Sequence, residues 1–545
     1  MLEIRHSDLA GRIGRLKTKH GIVETPAFLP VVHPIRQEIS IDELEKIGFD
    51  MLITNAYITW KEYSDTKDIH DILNFHKPIM TDSGGYQVLV YGSVEVDHLT
   101  MARFQAKIGS DVAVPLDKPT GFGLPRSKAE QYVELTLKAA EDTIRIGGGD
   151  GGEDSSTIWA APIQGGEYLD LVEYSSKRLL EMGYEFFALG SPTEIMEAYE
   201  FYTLARMIVT ARRVIPLSNP MHLFGAGHPL TIPLAVALGC DTFDSASYIL
   251  YAKDGRYMLP NGTISIDDLE YLPCVCPVCS NTDPRELKEL SNDEKIAKIA
   301  LHNLYAIKRE VDGVKQAIVE GRLWEYVIQR SLAHPKLAEA NYILKECSEY
   351  LEQCTPIFKA RALFLSLPID QYRPELTRFR RLVCTNIRSD KSTLVLLMEP
   401  QEHPFYTSSR YKAIKDAIIN KMRIDSREKN SSSNGSSESR SSGDDIQIAY
   451  YSPFLGIVPE EVSDLYPASH IVGIRHGVSY NDFPTMLNAI INFIKSNEFK
   501  RVLVEVDDRS IHVMKSIKDE LQEVEMRYYW KTEDIAESIK SIKIN

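Results

Sequence analysis

Residues Pro78-Ile79-Met80-Thr81-Asp82-Ser83-Gly84-Gly85 form a short β-rich run that ends on a carboxylate and turns on two glycines. Similar runs recur through the first 250 residues, at 27–32, 51–55, 111–117, 158–164, 185–190, 222–225 and 241–244. Helical patterns separate many of them, as at 127–144 and 168–182. Eight strands alternating with helices predict an α/β fold, a TIM (β/α)8 barrel, better than an open doubly wound sheet. No GxGxxG follows the first strand, which argues against a dinucleotide-binding fold. The runs end on Asn55, Asp82, Asp117, Gln164 and Asp244. Active sites of such barrels lie at the C-terminal ends of the strands, so these polar residues are candidates for function.

Composition narrows the class. A chain of 545 residues suggests two to four domains. No apolar run is long enough for a transmembrane helix, and the charged N-terminus lacks the apolar core of a signal peptide. The expectation is a cytoplasmic protein with no membrane association. A net charge of −15, taken alone, argues against nucleic-acid binding but does not exclude it, because a basic patch can sit on an acidic protein. The glycine- and acid-rich stretch 147–157 lacks the Lys-Ser/Thr ending of a phosphate loop and reads as a surface loop.

Three of the seven cysteines crowd into Cys274-Val275-Cys276-Pro277-Val278-Cys279, and the other four are scattered. That is a reduced protein with one metal site, not a disulfide framework. His302 follows on a predicted helix. Three thiolates and an imidazole suit tetrahedral zinc in a closed, structural site. An iron–sulfur cluster is the weaker reading, because it more often takes a fourth cysteine. The closed ligand set also argues against a zinc hydrolase.

Asp82 and Asp244 stand at two strand ends, where one carboxylate can act as nucleophile and the other as general acid/base. Such pairs serve glycoside chemistry, in which a carboxylate attacks an oxocarbenium-like centre. The residues alone leave a sugar hydrolase and a base-exchange enzyme both open.

Several ordered motifs decide between them: TDSGGYQ at Asp82, LDKPT at Asp117, IQGG at Gln164, HLFGAGHP from His222, FDSASY at Asp244 and CxCxxC with His302. Together they resemble the tRNA-guanine transglycosylases over roughly residues 1–345, and LPVVHP, ITNAY and YAKDGRYM are similar to the archaeal branch. The resemblance implies a pentosyltransferase that replaces guanine at position fifteen, in the D-arm of tRNA, with 7-cyano-7-deazaguanine. That is the first tRNA-level step of archaeosine biosynthesis. It implies Asp244 as the nucleophile on ribose C1′ and Asp82 as the acid/base for the departing and incoming purines. It implies that Asp117 and Gln164 bind the edge of the base, Gly190 offers it backbone, and Tyr86 stacks on it. One structural Zn2+ per chain would sit on Cys274, Cys276, Cys279 and His302. A homodimer is implied as well.

The resemblance weakens beyond this region. Residues 346–381 read as a helical linker and 382–545 as a smaller C-terminal α/β domain, with a disordered Ser-rich loop at about 426–445. PFYTS, SPFLGIVPEE and YPASH resemble a domain of archaeal transglycosylases and archaeosine synthases. No PUA domain is recognised, so tRNA affinity would come from this region, a second subunit or a separate PUA-domain protein. Arg373, Arg378, Arg380 and Arg381 are candidate phosphate contacts. Two other readings remain: an archaeosine synthase-type paralogue and a non-catalytic tRNA-binding subunit. Asp82 and Asp244 argue against the paralogue, and the joint persistence of Asp82, Asp117, Gln164 and Asp244 argues against the non-catalytic subunit.

Overall fold

A computed structural model describes residues 2–63, 67–85, 96–147, 156–431, 445–474 and 477–541. The chain divides into two compact units, Met1–Pro356 and Ile357–Asn545.

The first unit opens with three antiparallel strands, β1 (Leu2–Asp8), β2 (Gly11–Thr18) and β3 (Gly21–Thr25). Eight parallel strands follow: β4 (Ala27–Val32), β5 (Leu52–Asn55), β6 (Ile79–Asp82), β7 (Val112–Ala113), β8 (Ile158–Ile163), β9 (Phe186–Leu189), β10 (Met221–Leu223) and β11 (Thr242–Ser245). They close into a barrel, with β11 paired to β4. The predicted runs and these strands agree closely. β7 is the shortest, because Pro115 has no N–H to continue the ladder. Side chains alternate across each strand. Leu29, Met80, Val112, Ala160 and Phe186 therefore fill the interior, joined by Leu16 and Val23 of the N-terminal sheet.

Buried charges tie that sheet to the N-terminal end of the barrel. Arg12 and Arg212 both donate to Asp241, whose Oδ2 also accepts from Met221 N at 2.8 Å. Asp111 Oδ2 lies 3.1 Å from His20 Nδ1 and 3.0 Å from His70 Nε2, and it accepts from Ile79 N at 2.9 Å. The opposite end is left free for chemistry.

After β11 come the hairpin β12 (Arg256–Leu259) and β13 (Gly262–Ser265), the cysteine loop and the long helix Asn292–Glu320. Asn303 of that helix bonds Tyr248 O, Arg256 O and Met258 N at 2.9–3.2 Å.

The second unit holds β14 (Leu363–Leu365), β15 (Thr393–Met398), β16 (Ile446–Ser452), β17 (Gly456–Pro459), β18 (Ile471–Gly473), β19 (Arg501–Glu505) and β20 (Glu525–Tyr529). Its main sheet runs β17-β16-β15-β19-β20, and β14 pairs with β18. Two expectations change here. Residues 357–381 are not a helical linker: Leu363, Leu365, Leu376 and Phe379 are buried in the core of this unit. The helix Ser409–Ser431 also runs into the predicted Ser-rich loop, whose residues 432–444 lie outside the described ones. The segment before it is rich in Lys, Arg and Ile, which sustain a helix.

Candidate active site and metal centre

A cavity of about 1420 Å³ opens at the C-terminal ends of the barrel strands and is lined by Asn55, Asp82, Asp117, Gln164, Gly190 and Asp244. The residues read from the sequence thus come together from β5, β6 and β11 and from the loops after β7, β8 and β9.

Asp244 shares the inward face of β11 with Thr242. Its Oδ1 accepts from Gly225 N at 2.9 Å and lies 3.0 Å from His222 Nε2. His222 Nδ1 lies 2.9 Å from Thr242 Oγ1, and the ring is fully buried. With a hydroxyl available as donor on Nδ1, the Nε2 proton is directed at the carboxylate. One oxygen of Asp244 is therefore fixed by two donors, while Oδ2 has no hydrogen-bond partner among the described residues.

Asp82 ends β6, and its Oδ2 accepts from Asn55 Nδ2 at 3.2 Å. Asn55 is held by its own carbonyl oxygen, which caps the helix Ala56–Glu62 through Ile58 N at 2.9 Å. Burial pushes the Asp82 carboxyl up to about 7, reinforced by the nearby Asp117 and Asp244 charges. Burial also raises Asp117 to about 6, against the hydrogen bond from Gln164. Asp82 and Asp117, buried in one mouth, resist simultaneous ionisation, so Asp82 still carries a proton near neutral pH.

Gln164 Nε2 donates to Asp117 Oδ2 at 2.5 Å. Its Oε1 accepts from Thr120 N, Thr120 Oγ1 and Ser191 Oγ at 2.8–3.1 Å. These contacts fix the orientation of the Gln164 amide against Asp117 at the wall of the cavity. Two glycines make room for the pair. A Cβ on Gly85 would lie 2.0 Å from Asp117 Oδ1, and one on Gly190 would lie 2.2 Å from Gln164 Nε2. The Gly190 N–H is occupied by Ile163 O at 2.9 Å, so its carbonyl is what remains for a ligand.

The cysteine loop and the long helix meet in a second cluster. The ligand atoms of Cys274, Cys276, Cys279 and His302 all lie within 4.8 Å of one another. Cys276 Sγ and Cys279 Sγ are 3.5 Å apart, and His302 Nδ1 lies 3.6 and 3.4 Å from them. These are close to the edges of a tetrahedron built on metal–ligand bonds of about 2.0–2.3 Å. His302 Nε2 lies 2.8 Å from Met258 O, which leaves Nδ1 unprotonated and free to ligate. Tyr257 stacks on His302 at 3.5 Å, and its hydroxyl lies 3.1 Å from Cys279 Sγ. The cluster is positioned for metal coordination at a structural site.

Sequence reasoning gave His222 and Gly225 no role of their own, although HLFGAGHP contains them. Their partners lie far away in sequence, and only the closed barrel brings them together. Tyr86 and most of 147–157 lie outside the described residues. Two of the four candidate phosphate contacts, Arg373 and Arg380, are not placed for that role. Arg373 is fully buried beside Glu375 at 3.3 Å, and Arg380 is buried, donating to Phe454 O at 2.6 Å. Both hold the second unit together.

Fold and site define a (β/α)8-barrel protein with buried carboxylates at the C-terminal mouth of its barrel and a Cys3His cluster positioned for metal coordination. The family model described as queuine tRNA-ribosyltransferase matches residues 8–336, and the chain belongs to this family. It is 39% identical over 529 residues to a tRNA-guanine(15) transglycosylase of Aeropyrum pernix, covering 95% of this chain and 98% of that protein. The protein of the same name from Saccharolobus solfataricus is 40% identical over 521 residues, or 94% and 98%. That of Sulfolobus acidocaldarius is 42% identical over 414 residues, or 75% and 82%. The first two matches extend through both units. Among the described residues, no helix is long and apolar enough to cross a membrane.

Proposed function

We propose that this chain exchanges guanine at position 15 of tRNA for 7-cyano-7-deazaguanine, as the similarity to tRNA-guanine(15) transglycosylases along nearly its whole length supports. It is a pentosyltransferase, and the modified tRNA enters archaeosine biosynthesis. The observation that carries the mechanism is the asymmetric setting of Asp244, with one oxygen fixed by two donors and the other without a hydrogen-bond partner among the described residues.

In this reading Asp244 Oδ2 attacks ribose C1′. The glycosidic bond breaks, its electron pair leaves with guanine, and the tRNA is held as an Asp–ribose ester. Asp82, carrying a proton near neutral pH, delivers it to the departing purine. The resulting carboxylate then takes a proton from the incoming base, whose ring nitrogen attacks C1′ and frees Asp244. Covalent capture keeps the glycosidic bond energy, so no ATP or nicotinamide is needed. Asp117 and Gln164 read the purine edge, and a base lacking the matching donors leaves them unpaired at a cost of several orders of magnitude in rate. Gly190 keeps the floor open, and Tyr86 is the stacking partner carried over from the family.

The three thiols and imidazole fit zinc, one ion per chain, held by Cys274, Cys276, Cys279 and His302. Zinc there would clamp the cysteine loop to the helix that carries Asn303, and so the segment following β11. The barrel unit is read as catalytic. The same reading includes a homodimer, a cytoplasmic setting and a separate PUA-domain protein as an aid to tRNA binding. Sedimentation with and without tRNA tests the dimer. Release of labelled guanine from position fifteen of a tRNA transcript tests the activity. Release that depends on both 7-cyano-7-deazaguanine and Asp244 supports it, and a wild-type chain that releases nothing overturns it.

A further inference from the structure

The cavity at the barrel mouth, about 1420 Å³, is larger than the roughly 300–1,000 Å³ of sites for drug-sized ligands. One base accounts for only the inner end, where the carboxylates lie. The outer wall has a different character. Tyr199 is 50% exposed and has a φ of 60°, a left-handed backbone that a bulky residue rarely adopts. Its ring stacks on His334 at 4.9 Å with 23° between planes, and Phe201 meets its edge at 5.8 Å. Strained backbone of this kind persists where surrounding contacts over-determine it, and it clusters at functional sites. Tyr199 is thus a braced aromatic face turned toward solvent.

On the same wall, the Arg256 guanidinium lies 4.1 Å from the centre of the Tyr251 ring. It donates from Nε and Nη2 to Thr263 Oγ1 at 3.2 and 2.7 Å. Its backbone carbonyl is held by Asn303. Among the described residues it has no carboxylate partner. A fixed, uncompensated cation in the mouth of an acidic protein calls for an anion from outside. Glu197 and Asp254 line the same cavity, so the wall suits one phosphate at Arg256, not a length of backbone.

We infer that this wall is a second nucleotide subsite, in which the base next to the exchanged one stacks on Tyr199 and the phosphate joining the two is held by Arg256. The inference rests on the base-exchange reading and adds to it what holds the target nucleotide in place. Aromatic platforms combined with isolated cations are the usual means of holding single-stranded nucleic acid.

The test uses the full chain and two tRNA transcripts, one intact and one abasic at a single position flanking the exchanged guanine. Tyr199→Ala should raise the KM for intact tRNA by about tenfold, with kcat and the KM for the free base within about twofold. Tyr199→Phe should retain wild-type behaviour. With the abasic base on one side of the target, wild type should lose the same factor and Tyr199→Ala should lose nothing more. Arg256→Ala should reduce the slope of log affinity against log salt by about 0.7, the share of one phosphate on a single strand. An unchanged KM in Tyr199→Ala, or losses that multiply when the variant meets the abasic tRNA, would overturn the subsite. If wild type releases no guanine, the base-exchange reading fails. The same comparison made by equilibrium binding of the two tRNAs still decides the subsite.

Discussion

The His222 imidazole stands between Thr242 Oγ1, 2.9 Å from Nδ1, and Asp244 Oδ1, 3.0 Å from Nε2. All three side chains point into the barrel, so the contact belongs to the packed interior and not to a mobile loop. A fixed ring on one carboxylate oxygen aims the other, and misplacement by about 1 Å can cost about a hundredfold in rate. His222→Phe keeps the ring and removes the hydrogen bond. We expect kcat to fall by about 10–100-fold with the KM for tRNA nearly unchanged. Single-turnover rates on a saturating tRNA transcript check this. A drop confined to KM would contradict it.

Asp82 supplies a pH signature. With its carboxyl raised to about 7, the form able to protonate a departing purine is lost as pH rises through that value. The guanine-release half-reaction should therefore decline above about pH 7 in wild type. In Asp82→Asn it should be slow and flat across that range. Single-turnover profiles from pH 5.5 to 8.5 distinguish the two, with limits at about 1.5 units on either side of that value.

The same shift has a thermodynamic consequence. A carboxyl whose folded pKa is raised binds more protons in the native state than in the unfolded one between the ordinary value of 3.8 and about 7. Its contribution to stability is intact below that window and is lost as pH rises through it. Asp82→Asn, which cannot ionise, should be more stable than wild type at pH 8 by ~1–2 kcal/mol, and the gain should vanish near pH 4. Denaturant unfolding of the barrel unit within the full chain at the two pH values measures it.

Steric limits around the base edge give a third test. A methyl on Gly85 meets Asp117 Oδ1 at 2.0 Å, and one on Gly190 meets Gln164 Nε2 at 2.2 Å. Either alanine variant must displace Asp117 or Gln164, the residues proposed to read the base. The KM for the free base should rise by about tenfold or more while tRNA binding is retained, since overpacking by one methyl typically costs ~1–3 kcal/mol. Steady-state kinetics at varied base concentration check this.

Removing the metal should cost stability before it costs chemistry. Cys276→Ser, or prolonged chelation of wild type, should lower the zinc content below one ion per chain. The Tm of the barrel unit should drop by more than about 10 °C, because structural zinc sites contribute of order ten kcal/mol. Metal analysis and calorimetry together check this. Full zinc content in Cys276→Ser would contradict the assigned ligands.

The barrel was legible because its strands are short apolar runs that end on polar residues, and its carboxylates sit at those ends. The metal cluster was legible because three of its ligands lie within six positions. What escaped did so for physical reasons. β1 exposes most of its side chains, so it lacks the apolar signature of a strand. His222 sits between the apolar Met221 and Leu223, and its partner is 22 residues away, across a strand pair. Leu363 and Leu365 form too short an alternation to mark a strand until β18 pairs with it. Arg373 and Arg380 read as surface charge because the sequence does not reveal the Glu375 carboxylate and the backbone carbonyls that surround them.

The central claim is a covalent bond between Asp244 and the ribose at the target position. The most direct measurement incubates the chain with a tRNA transcript labelled at that guanine and resolves the quenched mixture under denaturing conditions. The account predicts that wild type releases label and retains a protein–tRNA adduct, while Asp244→Ala binds tRNA and does neither. Label release by Asp244→Ala at the wild-type rate, or release by wild type with no adduct at any time point and with no effect of the substitution, would contradict it.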